Sequence, residues 1–187
     1  MKPAELLDIL SVAEKLKCNT RHSYTSSGRH ESVAEHSWRL TLMALLVESE
    51  FPEADMNKVI RMCLIHDLGE AFTGDIPAFN KTGEDEAKED RVLAQWVENF
   101  PSPDRERWQA LYEEMNALAT TEAKIYKALD KLEAVIQNDE ADLSTWLPLE
   151  YELQFSYRQE NMQFSEYMKE LRREVDRMTA EKIAREK

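Results

Sequence analysis

The sequence predicts an all-α helical bundle, and three observations predict it. Glycine and proline are scarce: four Gly and six Pro in 187 residues leave little turn chemistry for a sheet protein. No Gly-rich phosphate loop and no regular series of hairpin turns is present. Apolar residues recur at helical spacing in several long segments. The length suits one domain, residues 1–187, able to bury a sizeable core.

Residues 3–17 read as the first helix. Pro3 is near its first position, and Leu6, Leu7, Leu10, Val12 and Ala13 supply an apolar face. Residues 18–31 are polar, contain Gly28 and read as a loop. Ser32-Val33-Ala34-Glu35 is a capping-box pattern, so a helix starts there. His36 falls in its first turn, and Leu40, Met43, Ala44 and Val47 follow at offsets of four, seven, eight and eleven. His36 therefore heads the buried stripe. Asp55 is placed to cap a helix reaching about Leu68, in which Val59, Met62, Cys63 and His66 share one face. Asp67 is turned by about 100° from His66 on the same helix. Gly69 ends the helix or admits close packing. Glu70 to Pro77 reads as a turn-rich continuation, and 78–83 as a loop.

Residues 84–99 form an acidic helix with Leu93, Trp96 and Val97 inward. Ser102 and Pro103 supply a cap and a first helical position for a helix to about Leu118. Thr120 or Thr121 caps the next helix. Its stripe is Ile125, Ala128, Leu129, Leu132, Val135 and Ile136, with Asp130 at the edge. Residues 139–150 read as loop around Pro148, with Trp146 and Leu147 tucked in. A charged helix closes the chain at about 161–186, its stripe being Phe164, Tyr167, Met168, Leu171, Val175 and Met178.

Charge excludes one class of partner. There are 37 acidic and 24 basic residues, a net −13. Polymeric nucleic acid needs a basic patch and is not expected. A small anionic substrate remains open, because a metal and an Arg or two reverse the potential locally. Cys18 and Cys63 form no CxxC pair, and Cys63 reads as a small core hydrophobe. The start of the chain, Met1-Lys2-Pro3-Ala4-Glu5, has no apolar signal region, and no run of eighteen apolar residues occurs. No membrane association and a cytoplasmic setting are expected.

The chemistry centres on His36, the dipeptide His66-Asp67, and Asp130. A lone His on an apolar helix face is usually a satisfied core residue. Two on consecutive helices, one beside a carboxylate in an apolar run, are harder to explain that way, since burying an unpaired carboxylate is costly. One divalent metal compensates it; Arg61 or Lys131 as an ion-pair partner is the structural alternative. Imidazole and carboxylate without thiolate suit Mn, Fe, Co or Mg better than a closed zinc site. The metal-binding core then spans about 30–140. Glu70, one turn after Asp67, is placed to orient or deprotonate water, or is a surface acid. Asp75, after Gly74, is a second acid nearby or a turn residue. Glu35 reads as part of the capping box. Arg21 and Arg29 suit phosphate, or are ordinary surface residues.

The set His36…His66-Asp67…Asp130 resembles the ligand set of the HD-domain metal-dependent phosphohydrolases. The segments Glu31–Ser37 and His66–Pro77 are similar to those of one branch, the 5′-deoxynucleotidases, which hydrolyse nucleoside monophosphates. The spacing of Arg21 before His36 fits that branch, and the resemblance covers about residues 5–175. It implies an HD-domain helical bundle, one divalent metal and a homodimer. It also implies His36, His66, Asp67 and Asp130 as ligands and Arg21 on the substrate phosphate. Glu70 would assist the attacking water, and Asp75 would help place water and sugar. One position departs from the pattern. The bacterial members follow the phosphate-binding Arg with a Trp that contacts the sugar, and here that residue is His22. The expected activity is therefore a phosphomonoesterase on nucleoside 5′-monophosphates, with weakened preference for 2′-deoxyribose. Another phosphohydrolase or phosphodiesterase, and a non-catalytic metal- or nucleotide-binding module, are the alternatives.

Overall fold

Eleven of the 20 residues of the helix Thr121–Glu140 are buried, so no face of it is left wholly to solvent. This helix, α7 in chain order, is the axis on which the other elements pack. The structure is a computed structural model that describes residues 1–185. Before α7 come α1 (Pro3–Ala13), strands β1 (Thr20–Tyr24) and β2 (His30–Ser32), α2 (Val33–Leu46), α3 (Met56–Ile65), α4 (Glu70–Thr73), α5 (Gly83–Glu98) and α6 (Asp104–Ala117). After it come α8 (Glu150–Ser156) and α9 (Glu166–Arg185). Helices α2, α3, α6 and α9 all pack on α7, and so does β1. Leu40, Val59, Met62, Ile125, Leu129, Leu132 and Met168 fill the space between them. Among the described residues no helix is long and apolar enough to cross a membrane.

Most expected elements are present, with local corrections. Residues 18–31 are not simply a loop. They carry a short antiparallel hairpin pairing Thr20 with Ser32 and Tyr24 with His30, with an irregular register between. Five residues of β1 face three of β2, which is a bulge. Gly28 makes the turn at φ +83°, where a side chain would be strained. The hairpin is anchored to α7 by Gln137 Nε2, which donates to the Tyr24 carbonyl at 2.6 Å. Its strands are polar, so no alternation of apolar residues announces them.

The first helix differs in its burial. Leu6, Leu7 and Leu10 are 46%, 65% and 52% exposed, and only Val12 and Ala13 pack on the core. The helix capped by Asp55 stops at Ile65 instead of Leu68, with His66 as its C-terminal cap. Ser102 does not cap α6, whose preceding residue is Pro103. Thr120 does cap α7, accepting from Ala123 N at 3.2 Å. Trp146 is buried and donates to the Asn138 carbonyl at 2.9 Å, whereas Leu147 is 38% exposed. The final helix begins at Glu166, after Phe164, and Met178 is exposed. Its expected end at residue 186 lies outside the described residues. What holds α9 includes a polar contact that a hydrophobic stripe cannot foretell. Buried Arg172 donates to the Tyr157 and Gln154 carbonyls and to Asp176.

The capping box before α2 is fully formed. Ser32 Oγ accepts from Glu35 N at 3.2 Å, and Glu35 Oε2 accepts from Ser32 N at 2.9 Å. Arg29 Nη1 adds a bond to Glu35 at 2.9 Å. Bonds from Arg29 and Ser32 hold Glu35 from 4.5 down to about 2. A depressed acid stabilises the fold above its unfolded pKa and loses that contribution as pH falls through the folded one. Glu35→Gln should therefore cost about 0.5–1 kcal/mol at pH 7, the scale of an exposed pair at a helix start. The gap from the parent, measured by urea denaturation, should narrow as pH falls from 4.5 toward 2.

Candidate active site

Three elements bring the expected residues together. The cap at Ser32 fixes where α2 starts, which turns His36 into the core, where it is fully buried. His66 ends α3, and its Nδ1 faces the Cys63 carbonyl at 3.0 Å. A proton donated there leaves Nε2 free to accept. Tyr112 satisfies another carbonyl of the same last turn, donating to Ile65 O at 2.8 Å. The two Nε2 atoms lie 3.1 Å apart. Asp67 Oδ2 is 2.9 Å from His66 Nε2 and 3.7 Å from His36 Nε2. Asp130 Oδ1 approaches from α7, at 3.3 Å from His36 Nε2 and 3.7 Å from His66 Nε2.

With a proton on each Nδ1, two Nε2 atoms that face each other at this distance need a proton or a cation between them. His36, His66 and Asp67 each offer a ligand atom within 4.8 Å of the others. A donor set of two imidazoles and two carboxylates suits a divalent cation of mixed N/O preference. The field points the same way. Burial opposes charge on His66, yet Asp67 and Asp130 raise it to about 9. Burial likewise opposes charge on Asp67, but His66 outweighs it and holds the carboxyl below the usual range. The site is built to concentrate positive charge.

The structural alternative is also visible. Asp130 Oδ2, the oxygen not facing the imidazoles, lies 2.9 Å from Lys131 Nζ and 3.5 Å from Lys127 Nζ. Lys131 thus partners Asp130 on one side only. Arg61 is exposed. Cys63 is buried, and burial pushes its thiol well up, so it behaves as a core residue.

Around these groups opens a cavity of about 550 Å³, a size that fits a small metabolite. Arg21 reaches it from β1. Its Nε is 3.2 Å from Glu31 Oε2 on the neighbouring strand, and its Nη1 is 3.7 Å from Asp67 Oδ2. Arg29 does not line this cavity; it is paired with Glu35 outside it. Glu70 opens α4 and is buried. Its Oε1 is 3.9 Å from Lys81 Nζ, and its Oε2 has no hydrogen-bond partner in the protein. Burial, with Asp67, Asp75 and Glu89 nearby, pushes Glu70 up to about 10. Gly69 just before it makes room for Glu89, since a Cβ there would lie 2.7 Å from Glu89 Cγ. Asp75 follows Gly74, which sits at φ +77°, and lines the same cavity; burial raises it while Arg21 opposes the rise. His22 stands at the rim, its Nε2 3.3 Å from Glu150 Oε2 and its ring edge-on to Phe79 at 5.3 Å.

Sequence reasoning passed over Glu31, Lys81, Glu133 and Glu150. Glu133 left one signal: it is an acid on the buried side of α7, three residues after Asp130. Lys81 left none in its polar stretch, and Glu150, a single acid between Leu149 and Tyr151, left none either.

Comparison with known proteins gives consistent results. A family model described as HD domain matches residues 13–172. The 5′-deoxynucleotidase HDDC2 of Homo sapiens is 31% identical over 139 residues, covering 72% of this chain and 67% of that protein. The protein of the same name from Bos taurus is 32% identical over the same length and coverage. Among solved structures, a predicted metal-dependent phosphohydrolase from Magnetospirillum magnetotacticum superposes with a TM-score of 0.80 at 27% identity. That match covers 97% of this chain and 95% of the other.

Proposed function

The chain belongs to the HD-domain family, and from that membership and the site geometry we propose a metal-dependent phosphomonoesterase that hydrolyses nucleoside 5′-monophosphates to nucleoside and phosphate. The observation that carries this reading is the convergence of His66, Asp67 and Asp130 beside Arg21 on a cavity sized for a small molecule, with the Nε2 of buried His36 directed at them. The relatives named 5′-deoxynucleotidase supply the substrate class. Residues 1–187 form one HD domain, and the two free cysteines suit the cytoplasm, the compartment we assign.

His36, His66, Asp67 and Asp130 would hold one divalent ion. Such an ion would supply Lewis acidity for phosphoryl transfer to water. Arg21 binds the substrate phosphate, and Glu31 steadies its Nε so that Nη1 faces the site. Glu70 lines the cavity with one oxygen left unpartnered by the protein, and it takes the proton of the attacking water. Burial is the first cause of its high proton affinity and the Asp67 charge the second; a cation beside Asp67 would offset the second. Water oxygen bonds to phosphorus as the bond from phosphorus to the 5′-oxygen breaks, and the proton ends on the leaving alkoxide. Asp75 orients the water and the sugar, and His22 lines the sugar side.

Phosphate release from a panel of nucleotides, with Mn, Co, Mg or Fe supplied, tests the proposal directly. No release from any monophosphate with any of these metals would refute it. Asp67→Ala should lose both metal and activity while helical circular dichroism stays intact; full metal occupancy in that variant rejects the ligand assignment. Glu70→Gln should keep the metal and lose about 10²–10⁴-fold in turnover, the scale of a positioned acid or base. Arg21→Ala should raise KM and leave metal content unchanged.

His22 bears on sugar preference. It is smaller than Trp and carries hydrogen-bonding nitrogens beside Glu150, so a ribose hydroxyl finds partners there instead of a wall. The kcat/KM for dAMP over AMP should differ by about 10-fold or less, equivalent to about 1.4 kcal/mol. A deoxy preference above about 10³-fold would show that another residue supplies the wall.

The assembly is a homodimer in this reading. Its support is the unpartnered apolar surface of α1 and α2: Leu6, Leu7 and Leu10 on one, Trp38, Leu45 and Leu46 on the other. Sedimentation at micromolar concentration should return twice the chain mass of 21.8 kDa; a monomer mass counts against it.

A further inference from the structure

Glu133 has no part in the site as described so far, yet it is fully buried on α7. A carboxylate in such a place is costly unless its oxygens are satisfied. Here each has its own partner. Oε2 meets His36 Nδ1 directly, and Oε1 accepts from Arg39 Nε at 2.7 Å. Arg39 continues outward to Glu140 at the end of α7. His36 is thereby left with one free nitrogen, Nε2, the atom that faces His66, Asp67 and Asp130. His66 solves the same problem differently, using the neutral Cys63 carbonyl.

We infer that Glu133 is the positioning residue of the cation site: braced by Arg39, it fixes the tautomer and ring orientation of His36, so that Nε2 presents its lone pair to the cation. A carboxylate behind an imidazole also makes the imidazole a better donor than a carbonyl does. Of the two imidazoles, His36 is then the stronger donor. The inference rests on the ligand assignment proposed above. A rival use of the same atoms is a second cation, since Glu31, His36 and Glu133 also group within 4.8 Å. The two guanidinium groups argue against it. Arg21 Nε lies 3.2 Å from Glu31, an ion pair without hydrogen-bond geometry, and Arg39 Nε binds Glu133, so positive charge already stands beside both acids.

Calorimetric titration of the metal-free full chain with Mn²⁺ or Co²⁺ tests this, alongside ¹⁵N NMR of histidine in the Zn²⁺-loaded parent. Glu133→Gln should bind one ion per chain about 10–100-fold more weakly, the usual cost of losing such an outer partner. Activity should be recovered at saturating metal, which a misfolded core would not allow. Arg39→Gln should weaken binding in the same direction by less. In the parent, His36 should carry its proton on Nδ1 and its metal on Nε2. This spectroscopic reading needs no variant and stands even if Glu133→Gln fails to fold. A folded Glu133→Gln protein with unchanged affinity, metal on His36 Nδ1, or two ions per parent chain each overturns the inference. A parent chain that binds no ion at Asp67 or His66 removes the ligand assignment instead.

Discussion

Burying acids around two imidazoles is the constraint on which the rest of this structure turns. Asp67, Glu70, Asp130 and Glu133 all lie in or beside the core of one small helical protein. Each would be costly alone. The chain answers with cations placed one by one: Arg21 near Asp67 and Glu31, Lys81 toward Glu70, Lys131 and Lys127 on Asp130, Arg39 on Glu133. A protein of net charge −13 has few basic residues to spare, and it spends several here. The protein's own cations sit on the outward oxygens of Asp130 and Glu133. The inward faces of Asp130, His36 and His66 are turned to one another, and there the remaining positive charge must come from a proton or an ion.

The sequence carried the inner part of this arrangement more openly than its support. His36 and His66 fall on apolar stripes, and a capping box sets the phase of the first, so their inward orientation follows from periodicity. Asp67 is beside His66 in the chain. The supporting residues answer to tertiary partners instead. Arg21 is near Asp67 only because a bulged hairpin folds back over α7, and that hairpin is made of polar residues with no alternating pattern. Glu133 lies at an apolar register position, where pattern reading expects a hydrophobe and passes over a charge.

Periodicity also misleads where an apolar stripe has no intrachain partner. Leu6, Leu7 and Leu10 repeat as a core face should, yet they are exposed; at that end Leu16, in the 3₁₀ turn Glu14–Lys17, is buried, with Val12 and Ala13 packed beside the core. The same pattern cannot distinguish a stripe that meets its own chain from one that meets another copy. Leu147 shows the converse limit. Beside a buried Trp146 in a short loop, alternate residues face opposite ways, and only one of the pair can be covered.

Helix α7 ties these parts into one device. Successive turns of it deliver polar side chains to different clients. Asp130 faces the imidazoles, Glu133 holds His36, Gln137 holds the hairpin through the Tyr24 carbonyl, and Asn138 reaches Glu150 at 3.5 Å. Glu150 in turn meets His22 and accepts from Leu147 N at 2.7 Å. The groups that face the imidazoles, the strand that carries Arg21 and the rim where His22 stands are thus indexed to one rigid helix at intervals of a turn. A helix holds such spacings better than a loop does. Because the far side of α7 is locked by Leu129, Leu132 and Val135, rotating it to relieve any one of these contacts would expose core surface. The polar stripe therefore keeps its geometry, and the hairpin and the Glu150 segment are held in register with the site by their bonds to the helix, the latter also through Trp146 on the Asn138 carbonyl and Gln154 on the Val135 carbonyl.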